Sequence, residues 1–303
     1  TLVDNTVSLW NGLPAPQVVV RLESAGSLIA ATSDLVVNLS SADATCVTVP
    51  ASVVIPTGLV STTFQPAYGG SATLPCTVAV TASAAGLLSD NVTVTVNPTA
   101  AITVSPTVTV GASLQTSDTA VLGATPPGGV TVTVTSSDPT RILVSQNPTT
   151  AGTASFTHTV PAGQSITTYY VHGVENVTGT ATVTVSATNF TSGTQTVTVV
   201  PSAVEIVNLP ASTTSLSASD VNWYVQAGIP DPTGAFVQTV QNVRAGGPPF
   251  IVTLSNSNGA IAQLASDEPA ATGQTVTKPI QPGVYYTLAV GGGTSYGLTF
   301  DPL

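Results

Sequence analysis

Residues of the types that carry out catalysis are scarce in this sequence, and the two histidines come first. His158 and His172 lie on either side of a Pro-Ala-Gly turn at positions 161–163, and Glu175 follows shortly afterwards. Side chains on the two arms of a hairpin could approach one another and bind a metal ion, but such a site needs further ligands. Because no further ligand is well placed in the sequence, we expect both histidines to be ordinary strand residues. We predict no metal ion and no cofactor.

The acidic residues also form no recognisable catalytic pair. Asp267 and Glu268 are consecutive, and consecutive side chains on a strand point to opposite faces, which is wrong for paired acid–base work. A solvated loop is the plainer interpretation of this pair. A nucleophilic-serine elbow needs a helix after the serine, and the sequence predicts none. A triad of dispersed residues stays open, but an enzyme is the least favoured class and we predict no catalytic residue.

The two cysteines, Cys46 and Cys76, are 30 residues apart in the first part of the chain. An isolated pair in a charge-poor, strand-rich sequence is typical of a disulfide formed in an oxidising compartment. Two buried free thiols are the alternative. A zinc site is disfavoured, because there is no second cysteine pair and neither histidine lies in the same repeat. We therefore predict a disulfide.

The composition points to strands and to the extracellular space. Valine and threonine dominate, and both favour strands. Charged residues make up only 6% of the chain and the net charge is −10, so its four basic residues cannot neutralise a nucleic-acid backbone. No apolar run approaches the ~18 residues of a membrane helix. The sequence has no methionine and begins at Thr1, so we expect a processed chain or part of a longer one.

One pattern of strands and turns occurs three times along the chain. Each copy contains a turn of proline and glycine, and the three turn glycines are Gly58, Gly163 and Gly283. A period near 100 residues indicates an array of whole domains rather than a solenoid. Short alternating strands with frequent turn signals are typical of a β-sandwich. We predict domains at 1–98, 99–201 and 202–303, joined by short proline-containing linkers.

The order of these elements resembles the bacterial immunoglobulin-like repeats of secreted and cell-surface proteins. In the second copy it runs from a strand through Ser136-Ser137-Asp138 to the 160–163 turn, and then to a Thr-Val-Thr-Val strand pair near 180–187 and 195–199. The resemblance covers most of residues 30–200 and, more weakly, 201–303. It implies an all-β fold of three tandem immunoglobulin-like β-sandwich domains. It also implies a stalk, spacer, adhesive module or polymer subunit without shared catalytic residues.

The third copy departs from this pattern, because nothing after its Pro-Gly turn matches the two terminal strands of the earlier copies. It passes through Tyr285-Tyr286 and a Gly-Gly-Gly turn at 291–293, and the sequence stops at Leu303. A sandwich without its last strands exposes core and an unpaired edge, which recruits another strand. The β-prone N-terminal segment is a candidate donor for another copy, and its apolar residues are Leu2, Val3, Val7, Leu9 and Trp10. A chain cut from a longer array is an equally weighted alternative.

Sugars could enter this protein in two ways, as attached glycans or as ligands. Asn-x-Ser/Thr acceptor sites occur at Asn38, Asn91, Asn176 and Asn189, and the last has the look of an exposed turn. Paired aromatic residues, such as those at 169–170, 223–224 and 285–286, would suit a sugar-binding face if they formed an exposed row. Packing of one member of each pair in a core is the favoured interpretation.

The scarcity of charge suggests the function. Natural sheets protect their edges with charge, proline or bulges, and an uncharged β-prone surface associates unless something covers it. The first hypothesis is a non-catalytic subunit of an extracellular filament, in which copies of the chain join head to tail by β-strand addition. Such a contact does not close, so it makes a filament. The alternative is a spacer or adhesive module, with carbohydrate as one ligand, in a larger secreted or cell-surface protein.

Overall fold

The computed structural model describes residues 1–209, 223–290 and 296–302. Every regular element in this part of the chain is a β-strand. The strands form because valine and threonine alternate, so that a row of valines turns inward while the threonines face solvent. In the strand Gly179–Ala187, for example, Val183 and Val185 are fully buried.

The first domain is a two-layered sandwich. Its front sheet has the strand order β1-β11-β10-β5-β7, with β1 parallel to β11, and β2 pairs with β8 in the back layer. Two short pairs, β3-β4 and β6-β9, lie outside these sheets. The strands are β1 (Thr6–Trp10), β2 (Val18–Arg21), β3 (Glu23–Ser24), β4 (Ser27–Leu28), β5 (Leu35–Ser41), β6 (Val47–Thr48), β7 (Ser52–Ile55), β8 (Ser61–Phe64), β9 (Ala67–Tyr68), β10 (Cys76–Ser83) and β11 (Asp90–Asn97).

The second domain repeats this plan. Its front sheet, β13-β21-β19-β15-β17, again places a parallel strand beside the last strand, and its back sheet has the order β16-β18-β14-β12-β20. Two packed sheets with this division of strands are the immunoglobulin-like arrangement that the sequence predicts. The strands are β12 (Ala100–Thr103), β13 (Thr107–Gly111), β14 (Leu114–Leu122), β15 (Val130–Ser136), β16 (Ile142–Ser145), β17 (Ser155–Val160), β18 (Ile166–Gly173), β19 (Gly179–Ala187), β20 (Phe190–Thr191) and β21 (Gly193–Val200).

The third domain departs from this plan and has a much smaller front sheet. In the described residues this front sheet consists of β26 and β29, and the other sheets are β22-β23-β24 and β28-β27-β30. The strands are β22 (Ala203–Val207), β23 (Tyr224–Pro230), β24 (Val237–Val240), β25 (Asn242–Val243), β26 (Phe250–Ser255), β27 (Ala262–Asp267), β28 (Ala270–Gly273), β29 (Thr275–Ile280) and β30 (Leu298–Pro302).

The all-β fold class and the incomplete third sandwich are therefore confirmed. By pairing, β26 and β29 correspond to β15 and β17 of the second domain. No strand in the described part of the third domain takes the places of β19 and β21. The predicted Gly-Gly-Gly turn at 291–293 lies outside the described residues.

Three buried clusters form the cores, and each is drawn mainly from one predicted domain. The exception is Leu114, which begins a strand of the second domain but is buried in the third core. We propose the predicted boundaries as domain boundaries on this basis, with Leu114 crossing from one domain into the next.

The N-terminal segment lies in its own domain in this chain. Leu2, Val7 and Leu9 are buried in the first core, Trp10 packs half-buried against the second core, and Val3 is exposed. The strand β1 pairs with β11 along its whole length. Donation of this segment to another copy stays a prediction, and it would require the first core to be opened.

The junction between the second and third domains is a polar network that sequence analysis missed. The Gln241 side chain accepts a hydrogen bond from Gly111 N at 2.9 Å and donates one to Thr109 O at 3.0 Å. Across the junction, Gln115 Oε1 accepts a hydrogen bond from Ala245 N at 2.7 Å. The short strand β25 also pairs with the start of β14. The predicted short linker is therefore reinforced by side-chain and main-chain bonds.

An ion pair lies beside this network. The Arg244 guanidinium donates to both carboxylate oxygens of Glu175, from Nε at 2.5 Å and from a terminal nitrogen at 2.6 Å. Burial alone would raise the pKa of Glu175, but the hydrogen bonds and positive charge of Arg244 hold that pKa below its ordinary value. The pair is mostly buried and links the two domains.

Candidate protein-binding groove

An open apolar groove of about 490 Å³ lies in the third domain where the front sheet is incomplete. We call it the third-domain groove. Its floor includes buried Trp223, Val225 and Leu254, and its rim includes the exposed Val204 and Ile206. Its full lining is Val204, Ile206, Leu209, Trp223, Val225, Val252, Thr253, Leu254, Ser255, Asn256, Ser257, Leu264 and Phe300.

Among the described residues, the strand β26 has an unpaired edge at this groove. It pairs with β29 on one side, and no described residue pairs with the other side. In the second domain the equivalent strand β15 pairs on both sides, with β17 and with β19. Unpaired backbone N–H and C=O groups along a strand edge are a template for another strand.

The lining of the groove carries no charged side chain. On its rim, Val204, Ile206 and Leu209 are 44%, 47% and 44% exposed. Exposed apolar surface beside a strand edge is a candidate site of protein association.

Four tyrosines form a second feature of the third domain. The rings of Tyr224, Tyr285, Tyr286 and Tyr296 lie with centroids 4.6–5.9 Å apart, mostly edge to face. All four are half-buried. Because the rings pack against one another rather than in a row, they do not form the flat sugar-binding face considered from sequence. In the other aromatic pairs, Trp223 and Tyr169 are core residues.

The two histidines are not brought together. His158 lies on β17 of the front sheet, where its Nδ1 is 2.6 Å from Gln146 Nε2. His172 lies on β18 of the back sheet, so the two histidines lie on strands of different sheets. Glu175 is engaged by Arg244. The described residues contain no cluster of three or more metal-ligating side chains.

His172 is instead a fully buried polar residue. Its Nε2 is 2.8 Å from Ser145 Oγ, and its Nδ1 has no partner in the described part of the chain. Burial, with the nearby charge of Arg244 as a second cause, lowers the pKa of His172 to about 4. A proton on Nδ1 would be buried without an acceptor, which explains the direction of this shift.

This histidine predicts a loss of stability in mild acid. The folded-state pKa lies below the ordinary value of 6.5, so the stabilisation is complete above pH 6.5 and is lost as the pH falls toward 4. We expect the free energy of unfolding of the second domain to fall by about 3 kcal/mol over this range. Chemical denaturation at a series of pH values measures the slope, and His172→Gln should flatten it. Equal slopes in the two proteins would contradict this account.

The acidic candidates also have structural partners. Asp267 ends β27 rather than lying in a loop, and it forms an ion pair with the fully buried Lys278. Asp138 of the Ser-Ser-Asp motif accepts hydrogen bonds from Thr140, and Asp43 does the same with Thr45 in the first repeat. These bonds to threonine lower the pKa of Asp43 and Asp138. The repeated motif is therefore a turn-forming element.

The disulfide is present, and the glycosylation candidates lie at the surface. Cys46 and Cys76 are bonded, and their Cα atoms are 6.0 Å apart. Asn38, Asn91, Asn176 and Asn189 are all exposed. Asn189 lies close to Gly12 of the first domain, at the junction of the first two domains. Glycosylation at these four positions stays a prediction.

Comparisons with known proteins show no family for this chain. No protein-family model and no curated protein matches the sequence. The chain is similar to the structure described as Dpr11 IG1 bound to DIP-gamma IG+IG2, with 10% identity, a TM-score of 0.24, and coverage of 66% of this chain and 98% of that one. It is also similar to Dpr2 Ig1-Ig2 in complex with DIP-Theta Ig1-Ig3, with 10% identity, a TM-score of 0.25 and coverage of 100% and 96%.

A further similar structure comprises the N-terminal eight Ig domains of Down Syndrome Cell Adhesion Molecule. Identity is 8%, the TM-score is 0.20, and coverage is 98% of this chain and 39% of that one. All three are described as immunoglobulin-domain proteins, and TM-scores this low show no shared family or role. The bacterial immunoglobulin-like family stays a resemblance. No helix in the described residues has the length and apolarity to cross a membrane.

Proposed function

We propose that this chain is a non-catalytic adhesive module of the extracellular space, which binds a partner protein through its third domain. The observation that carries this proposal is the edge of β26 beside the third-domain groove, which no strand pairs with in the described part of the chain. Strand addition to an open sheet edge is a general mode of protein recognition, in which main-chain hydrogen bonds give affinity and side-chain pockets give specificity.

The junction network supports this function. Arg244, Gln241 and Gln115 form hydrogen bonds between the second and third domains. These bonds restrict the motion of the groove-bearing domain relative to its neighbour. The Cys46–Cys76 disulfide and the scarcity of charge fit an extracellular location. Glycans on the exposed acceptor asparagines would cover surface that few charges protect.

The filament hypothesis requires the N-terminal segment to leave the position that it has in this structure. In a filament, Leu2, Val7 and Leu9 would leave the first core and fill the third domain of the next copy. Those residues are buried where they are, and their removal would expose apolar surface in the first domain. The adhesive proposal needs no such rearrangement.

The association state of the purified full chain tests this choice. Sedimentation velocity and negative-stain microscopy at micromolar concentration are expected to give a single species near 30.1 kDa, apart from attached sugar. Deletion of residues 1–10 should destabilise the first domain without changing the association state. Filaments that disappear on this deletion would overturn the adhesive proposal in favour of the polymer.

A further inference from the structure

The second domain shows how the incomplete sheet of the third would be completed. Each residue of β26 lies 120 positions after its counterpart in β15, as Val130 and Phe250 illustrate. In the second domain β19 runs antiparallel to β15, with Val185 opposite Val134. From this template we propose that the third-domain groove takes one uncharged β-strand of a partner polypeptide, antiparallel to β26. This inference rests on the proposed function.

The register of the incoming strand follows from the same template. Val185 faces Val134 and Val183 faces Ser136, and both valines are fully buried. The corresponding positions in the third domain are Leu254 and Asn256, both of which line the groove. The incoming strand therefore places apolar residues opposite these two positions. Its intervening residues face solvent, because side chains alternate along a strand.

The chemistry of the groove selects against charge at the inward positions. Its lining consists of apolar, hydroxyl and amide side chains. An aspartate or lysine buried there would find no ionic partner, and burial of an unpaired charge is costly. The six residues of β26 span about 20 Å at roughly 3.4 Å per residue, so a strand of similar length is accommodated.

We assign this strand to a partner polypeptide, because the described strands of the first two domains are engaged in their own sandwiches. Their front sheets each hold five strands, and the inward residues of these strands are buried in their own cores. The edge strand β1 is the easiest to remove, but it carries the buried Val7 and Leu9. Donation from a second copy would therefore open one sandwich in order to complete another.

A peptide with the sequence of residues 179–187 tests the inference directly. This peptide, labelled with fluorescein, is titrated with the purified full chain, and fluorescence polarisation measures binding. We expect saturable binding. A matched peptide with Val183→Asp and Val185→Asp should bind at least tenfold more weakly, because both inward residues are then charged.

Two protein variants locate the binding site. Ile206→Lys puts a charge on the exposed rim of the groove and should weaken peptide binding at least fivefold. Leu88→Lys makes the same kind of change at a 98% exposed position of the first domain and should leave binding within twofold. Equal binding of both peptides, or equal loss in both variants, would overturn the inference.

The same measurements separate this inference from the proposed function. If the chain is a monomer and does not bind the 179–187 peptide, the inference about strand binding is contradicted. The proposed adhesive function is then unaffected. Filament formation by the unmodified chain overturns both, because the donor is then a second copy.

Discussion

Arg244→Met is expected to destabilise the third domain by about 3–5 kcal/mol, the usual cost of removing one partner from a buried ion pair. Methionine keeps most of the side-chain volume but leaves the Glu175 carboxylate without its two hydrogen bonds. Both side chains are largely shielded, with 11% and 21% of their surface exposed, so water compensates poorly. Calorimetry of the full chain should show the third domain melting earlier than in the unmodified protein.

A second arginine provides the control for this prediction. Arg141 is 3.5 Å from Asp138 within the second domain, and about a third of each side chain is exposed. Exposed ion pairs contribute about 0–1 kcal/mol, so Arg141→Met should have a small effect. If the two variants lost equal stability, the Arg244–Glu175 pair would not be what braces the domains.

Sequence reasoning reached the fold because strand patterning is a local property. Alternation of valine and threonine, as in residues 179–187, depends only on neighbouring residues and on the two faces of a sheet. The absence of the last two strands was visible for the same reason, since the third repeat has no such run after Gly283. The missing strands predict that a groove is present. The residues that line the groove could not be predicted, because they come from distant parts of the chain.

The junction between domains escaped sequence reasoning because its residues are far apart in the chain. Arg244 and Glu175 are 69 positions apart, and Gln241 and Gly111 are 130 apart. A signal existed, since Arg244 is one of only four basic residues in the chain. A buried basic residue is expected to pair with an acidic one. The spacing of the two histidines likewise does not show that the chain passes from the front sheet to the back sheet between β17 and β18.

Removal of the disulfide is expected to destabilise the first domain by about 3–4 kcal/mol. The bond closes a loop between Cys46 and Cys76, which are 30 residues apart, and a loop of this size restricts the unfolded chain by roughly that free energy. Cys46 is also 2% exposed and belongs to the first core, so its replacement by alanine costs packing as well. Denaturant unfolding of Cys46→Ala/Cys76→Ala should show a lower midpoint for this domain.

Reduction of the unmodified protein separates the two contributions. Reduced thiols keep the packing of Cys46 but release the loop, so the reduced protein should lose most, though not all, of the stability that the double variant loses. The transitions of the second and third domains should not move, because the disulfide and its loop lie wholly within the first domain. A first domain that unfolds at the same denaturant concentration with and without the bond would show that its core alone determines its stability.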